Sequence, residues 1–208
     1  VIYIPNGVNL IESQPVLNLD RKNNIFKVFY LGALGISNRI DIIIRAAQII
    51  QDSGQSNIEF IFIGDGPEKN NLILLAKKCK LNNVIFKNPV SKNLVQSILS
   101  KSNICIVDTD EMVPKYGLSP NKLFDYLKAK RPIIIQSDLP NNIIKDANCG
   151  IQVPSNDPKL LAGAIIKLYK MSPKERKKMG QRGREYVEKY HSIPVLVDKL
   201  EKILKEVI

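Results

Sequence analysis

Three loops of the 208-residue chain carry groups that could do chemistry. The most informative is Ser119-Pro-Asn-Lys-Leu-Phe-Asp125, which closes a polar loop running from Thr109 to Ser119. Long loops that follow strands commonly carry function. Ser119 suits a helix N-cap and Pro120 the first helical position, so the free N–H groups of the first turn and the positive end of the helix dipole would face outward. Such a helix start binds anions, and Lys122 adds a point charge. Leu123, Phe124 and Leu127 make the apolar stripe of this helix and leave Asn121, Lys122 and Asp125 together on the other face. An acid one turn behind a phosphate-binding helix start can accept hydrogen bonds from ribose hydroxyls. A capped surface helix with a Lys122–Asp125 pair worth about 0.2–0.5 kcal/mol fits the same residues.

The other two loops are rich in glycine. Gly32-Ala-Leu-Gly35 would let backbone approach a ligand, and a plain turn explains it as well, since the third glycine of G-x-G-x-x-G is missing. Gly64-Asp-Gly-Pro67 leads into a helix at Glu68, again compatible with a simple turn. A metal site is not expected. Cys79, Cys105 and Cys149 stand far apart and His191 is the single histidine, so neither a zinc cage nor a disulfide framework can be assembled. Cys105 lies in an apolar run and reads as a buried, inert thiol in a reducing compartment.

The chain carries 31 basic and 20 acidic side chains, a formal net charge of +11. That excess fits nucleic acid, an anionic membrane surface or a phosphate-bearing ligand. Its densest run, Lys174-Glu-Arg-Lys-Lys178, continues to Arg182 and Arg184 without interleaved aromatic residues, so the stacking platforms a nucleic-acid partner needs are missing. No stretch approaches the roughly 20 apolar residues required to span a bilayer.

These loops need elements to position them. Short, nearly continuous apolar runs at Phe26 to Leu31, Ile58 to Ile63, Val84 to Lys87, Ile104 to Asp108, Pro132 to Gln136 and Gly150 to Val153 read as strands buried on both faces. Between them, helical periodicity covers Ile40 to Ile50, Glu68 to Lys80, Leu94 to Leu99, Asn121 to Ala129 and Asn141 to Ala147. Alternation of this kind predicts an α/β fold, a Rossmann-like doubly wound parallel sheet of about six strands. After Val153 only helices follow: Pro158 to Tyr169, Pro173 to Tyr190 and Pro194 to Val207, a C-terminal helical tail. In such a sheet, ligands bind at the carboxyl ends of the strands, where the three loops lie.

Together these segments resemble the C-terminal, nucleotide-sugar-binding domain of retaining GT-B glycosyltransferases of group 1 (family 4). Ile4-Pro-Asn-Gly-Val-Asn9 is similar to the P-N-G-V-D element that opens that domain, and Ile63-Gly-Asp-Gly-Pro67 to its G-D-G-P. Asn83-Val-Ile-Phe86 resembles its N-V-x-F strand, Lys130-Arg-Pro-Ile-Ile134 its G-x-P-V-I, and Asn148-Cys-Gly-Ile151 its x-x-x-C-G-x. Two departures stand out. The first of the family's two spaced acids is replaced by Gly117, giving the S-P-N-K variant found in bacterial polysaccharide enzymes, including transferases of N-acetylated amino sugars. The G-R-L-x-x-x-K-G turn reads Gly32-Ala-Leu-Gly-Ile-Ser-Asn-Arg39, without either basic residue in its usual place.

The resemblance implies a nucleoside-diphosphate sugar as donor, a UDP-sugar by preference, with no cofactor and no metal. It implies diphosphate contacts from Gly35, Arg39, Leu118, Ser119 and Lys122, ribose contacts from Asp125, and a base flanked by Asn88, Pro89 and Val90. Gly32, Gly64, Gly117, Pro120 and Asn121 would line the cleft. Residues 1–192 would form the donor domain, and residues 193–208 a helix packing on an acceptor-binding domain that precedes Val1 and holds the catalytic residues; His191 cannot replace them. The expected whole enzyme transfers a sugar to a lipid-linked or glycan acceptor for capsule or O-antigen. It would work in the cytoplasm and at the inner face of the plasma membrane, while this stretch alone would be inactive. A sugar-nucleotide epimerase of the same architecture and a non-catalytic basic module remain as alternatives.

Overall fold

The computed structural model describes residues 4–10, 25–108, 121–138 and 142–207. Six strands, β1 (Phe26–Leu31), β2 (Ile58–Ile63), β3 (Val84–Lys87), β4 (Ile104–Asp108), β5 (Ile133–Gln136) and β6 (Gly150–Val153), form one sheet in the order β3-β2-β1-β4-β5-β6. Every pairing is parallel. β5 starts at Ile133, one residue later than predicted, because Pro132 has no N–H to give and contributes only its carbonyl, to Cys105 N–H at 3.0 Å.

The helices are α1 (Ile40–Asp52), α2 (Lys69–Lys78), α3 (Val95–Leu99), α4 (Asn121–Lys128), α5 (Ile143–Asp146), α6 (Pro158–Lys170), α7 (Pro173–Tyr190) and α8 (Ile193–Val207). The predicted helix at Leu94 opens instead with a 3-10 turn, Lys92–Leu94, and α5 is shorter than predicted because Asn142 caps it, accepting from Lys145 N–H at 3.1 Å.

Alternate strand residues divide between two cores, as a pleated sheet requires. Phe26, Val28 and Tyr30 of β1, with Phe60 of β2 and Ile106 of β4, meet Ile43 and Ile44 of α1 and Ile165 and Leu168 of α6. Phe29, Ile61, Cys105 and Val107 face the other layer, with Val95, Leu99, Leu123, Leu127, Ile144 and Val187. Burial raises the thiols of Cys105 and Cys149 to about 12, so both are inert at neutral pH. Helix α7 lies so close to the chain after α4 that a Cβ on Gly180 would fall 2.0 Å from the Lys130 carbonyl oxygen. Its start is a capping box between Ser172 and Glu175.

Two features place the functional end of the sheet. The strand order reverses between β1 and β4, and paired register between them covers only Val28–Ile104 and Phe29–Cys105. Beyond that, the Tyr126 hydroxyl of α4 accepts from Leu31 N–H at 2.8 Å and donates to the Leu31 carbonyl at 3.1 Å, tying the helix to the end of β1. Tyr126→Phe would leave two partly buried backbone groups without this partner, so a loss of about 1–3 kcal/mol is expected in chemical denaturation. The second feature is the segment 4–10. Val8 forms a parallel bridge with Ser192, its N–H donates to the His191 carbonyl at 2.8 Å, and its carbonyl accepts from Ile193 N–H at 3.3 Å.

Candidate functional site

The reversal between β1 and β4 leaves a crevice at their carboxyl ends, the position where ligands bind in open α/β sheets. The backbone on its β1 side is unusually close-packed. Gly32 and Gly64 both have φ near +150°, and a Cβ on Gly64 would fall 1.9 Å from the Gly32 carbonyl oxygen. Glycine is therefore required there. Gly32 in turn lies against Lys122, whose Cε would be 3.1 Å from a Cβ on that glycine.

Lys122 is the centre of this crevice. Its ammonium donates to the Tyr30 hydroxyl at 2.5 Å and to Asn38 Oδ1 at 2.7 Å, and it lies 4.4 Å from the centroid of the Tyr30 ring. The Tyr30 hydroxyl sends its own proton to the Ala33 carbonyl, 2.8 Å away. Burial lowers the Lys122 pKa to about 8, against an opposing pull from the charge of Asp108. Asp108 ends β4, is 1% exposed and accepts from Gln136 Nε2 at 2.6 Å. Burial and the Asp108 charge together raise the Tyr30 phenol above its ordinary range.

Asp125 serves a different cavity. With Asn121, Lys128, Lys92 and Gln96 it lines a polar cleft of about 610 Å³, closed on one side by Gly7, Val8 and Asn9. Burial raises the Asp125 carboxyl pKa, and the charges of Lys92 and Lys128 oppose that shift. This corrects the expectation that Asn121, Lys122 and Asp125 share one outward face: Lys122 turns toward β1, while Asn121 and Asp125 look into the cleft. Helical periodicity places Lys122 off the apolar stripe, but its long stem crosses to Tyr30 and Asn38.

The remaining predicted residues are scattered over several places. Gly32 and Gly64 meet in the crevice as described. Gly35 begins the 3-10 turn Ile36–Asn38, and Arg39, which follows it in the left-handed conformation, pairs with Asp41 at 3.3 Å. Asn88, Pro89 and Val90 follow edge strand β3; Asn88 Oδ1 accepts from Lys69 Nζ at 3.1 Å, Pro89 is exposed and Val90 packs on the core that holds Phe29 and Ile61. Gly117, Leu118, Ser119 and Pro120 lie outside the described residues. His191, which the sequence allows as either a surface or a packing residue, is 8% exposed, with Nδ1 3.2 Å from the Asn6 carbonyl and its ring 5.2 Å from that of Phe124.

Tyr30, Asn38 and Asp108 were not predicted. A polar atom at or next to the end of a largely apolar strand, as in Phe26-Lys-Val-Phe-Tyr-Leu31 and Ile104-Cys-Ile-Val-Asp108, is the signal that could have found two of them.

A parallel sheet with a crevice at its order reversal defines a Rossmann-like α/β domain of the kind that forms each half of GT-B glycosyltransferases. Residues 15–186 match the model of the family described as glycosyl transferases group 1, and the chain belongs to that family. The fold is similar to sucrose-phosphate synthase from Thermosynechococcus elongatus, with a TM-score of 0.78 and 20% identity over 98% of this chain and 52% of that one. It is also similar to the C-terminal domain of LpcC, a group 1 family protein from Francisella tularensis, with a TM-score of 0.71 and 19% identity over 90% of this chain and 100% of that one. Anabaena Alr3699/HepE, solved in complex with UDP-glucose, gives 0.70 at 12% identity over 88% and 49%. At these identities the likeness is one of fold. The chain spans about half the length of the sucrose-phosphate synthase. No curated protein matches the chain. Among the described residues, no helix is long and apolar enough to cross a membrane.

Proposed function

We propose that this chain is the donor-binding half of a retaining glycosyltransferase, holding a nucleoside-diphosphate sugar across the end of β1 and the start of α4. The observation that carries the reading is the half-buried Lys122 ammonium, which meets two neutral oxygens in the crevice. An ammonium placed so is matched to an anion, and a diphosphate leaving group develops charge at that point as the glycosidic bond to the donor breaks. The unpredicted turn of Lys122 away from Asp125 suits this division, with diphosphate at Lys122 and Gly32 and the ribose hydroxyls at Asp125 in the neighbouring cleft. In the same reading, Gly35, Arg39 and the amides of Leu118 and Ser119 add diphosphate contacts, and Asn88 to Val90 flank the base. UDP is the favoured nucleotide, in keeping with the UDP-glucose bound to Alr3699/HepE.

Thermal melting tests it. One of UDP, GDP, ADP or CDP at millimolar level raises the melting temperature, EDTA leaves the shift unchanged, and Asp125→Ala reduces it by lowering affinity about tenfold. No shift with any of the four refutes a donor site in this chain.

The rest of the enzyme follows from exposed surfaces. Helix α8 leaves Ile193, Val197, Leu200 and Leu204 between 42% and 51% exposed along one face. That stripe is proposed to pack on an acceptor-binding domain carrying the catalytic residues, which makes the acceptor, an N-acetylated amino-sugar donor and a role in cell-surface polysaccharide properties of the whole enzyme. The exposed side of α7, with Lys174, Lys177, Lys178 and Arg182, is proposed to hold that enzyme at the anionic inner face of the membrane. Sedimentation with anionic vesicles should fall sharply when the three lysines become glutamate, and binding that persists removes the membrane role.

A further inference from the structure

We infer that Tyr30 and Asn38 form a seat that fixes the Lys122 ammonium as the diphosphate contact, which makes them positioning residues of the donor site. The inference rests on the donor reading above. It starts from the chemistry of the partners: a lysine ammonium has three protons to give and a long flexible stem, so without fixed acceptors it would have no defined position. Here two acceptors come from different elements. Tyr30 is the penultimate residue of β1, and its orientation is locked because its proton is committed to the Ala33 carbonyl, leaving a lone pair for Lys122. Asn38 ends the 3-10 turn that follows Gly35, a turn held by its own N–H donating to the Gly35 carbonyl at 3.1 Å.

Both acceptors are neutral, and this decides what the seat can do. A carboxylate in direct contact would neutralise the ammonium and repel an incoming phosphate. Neutral oxygens hold the cation and leave its charge for the ligand. The carboxylate that does act on Lys122, Asp108, is buried at the end of β4 and bonded to Gln136, so it favours the charged form from the protein side. The neighbouring cation, Arg39, is paired with Asp41. The seat therefore joins the end of β1 with the turn that follows it, two segments that border the crevice.

The test is the binding of inorganic pyrophosphate, UDP and uridine to the full chain and its variants. Asn38→Asp, which places a carboxylate on the ammonium, should lower pyrophosphate and UDP affinity by about tenfold or more and leave uridine binding unchanged. Tyr30→Phe should lower the same two affinities by about three- to tenfold. In the native chain, pyrophosphate affinity should fall as pH rises through about 8, where Lys122 loses its proton. Asp108→Asn should move that fall to lower pH, an effect that a merely structural role would not produce. Unchanged pyrophosphate affinity in Asn38→Asp and Tyr30→Phe, together with an unmoved pH profile in Asp108→Asn, overturns the seat. If Lys122→Ala alone abolishes binding in that case, the donor reading stands without it. Pyrophosphate and UDP binding that survives Lys122→Ala overturns both.

Discussion

Gly64→Ala is expected to cost about 3–5 kcal/mol, a large share of the 5–15 kcal/mol that a domain of this size has. Two effects combine. The new methyl would stand 1.9 Å from the Gly32 carbonyl oxygen, a backbone atom that cannot rotate aside, and alanine would be forced to a φ near +150°. Relief requires the loop after β2 to part from the loop after β1, which pulls Gly32 off Lys122. The variant should therefore lose nucleotide binding as well as stability, read by denaturant unfolding and by titration. Gly163→Ala is the control. A Cβ there meets nothing within 4 Å on an exposed turn of α6, and helix propensity predicts a gain of about 0.5–1 kcal/mol. A Gly64→Ala chain as stable as the native one would refute the close-packing account.

Lys122→Met should separate function from stability. Losing a charge-assisted contact to a diphosphate costs about 1.5–3 kcal/mol, or roughly 10- to 150-fold in affinity. The ligand-free chain should be no less stable at pH 7, because the ammonium is charged there against the cost of burial and methionine keeps the apolar stem. The pH dependence has a definite sign. A folded-state lysine at about 8, below its usual 10.5, holds fewer protons than the unfolded chain between those values, so native stability rises with pH across that window. Lys122→Met removes the rise. Calorimetry on both chains from pH 7 to 10.5 checks it, and a clear loss of stability at pH 7 would show that Lys122 serves the fold rather than a ligand.

The strands were legible because a parallel sheet covered on both faces asks for nearly continuous apolar runs, and Phe26–Leu31, Ile58–Ile63 and Ile104–Asp108 supply them with matching bounds. Pro132 was misplaced for a local reason, its missing N–H. The candidate site was legible only along the chain. Spacing found Lys122 and Asp125 on one helix, but which cavity each enters depends on what lies opposite. Tyr30 and Asp108 come together only once β1 and β4 are neighbours, and strand order is a property of the assembled sheet. Asn38 stayed hidden because its function is to face a side chain 84 residues away.

The clasp between the segment 4–10 and the junction of α7 with α8 bears on how the domain assembles. His191 and Asn6 are 185 residues apart, so closing that contact costs more loop entropy than pairing any two strands of the sheet. That loop cost predicts late formation during folding, and amide exchange at Val8 and Ile193 measures how readily the clasp opens. Gly7, Val8 and Asn9 line the cleft that holds Asp125, so the clasp is itself part of the wall of the proposed ribose pocket. A ligand that needs that wall would stabilise the clasp by mass action, coupling occupancy of the pocket to the docking of the segment 4–10.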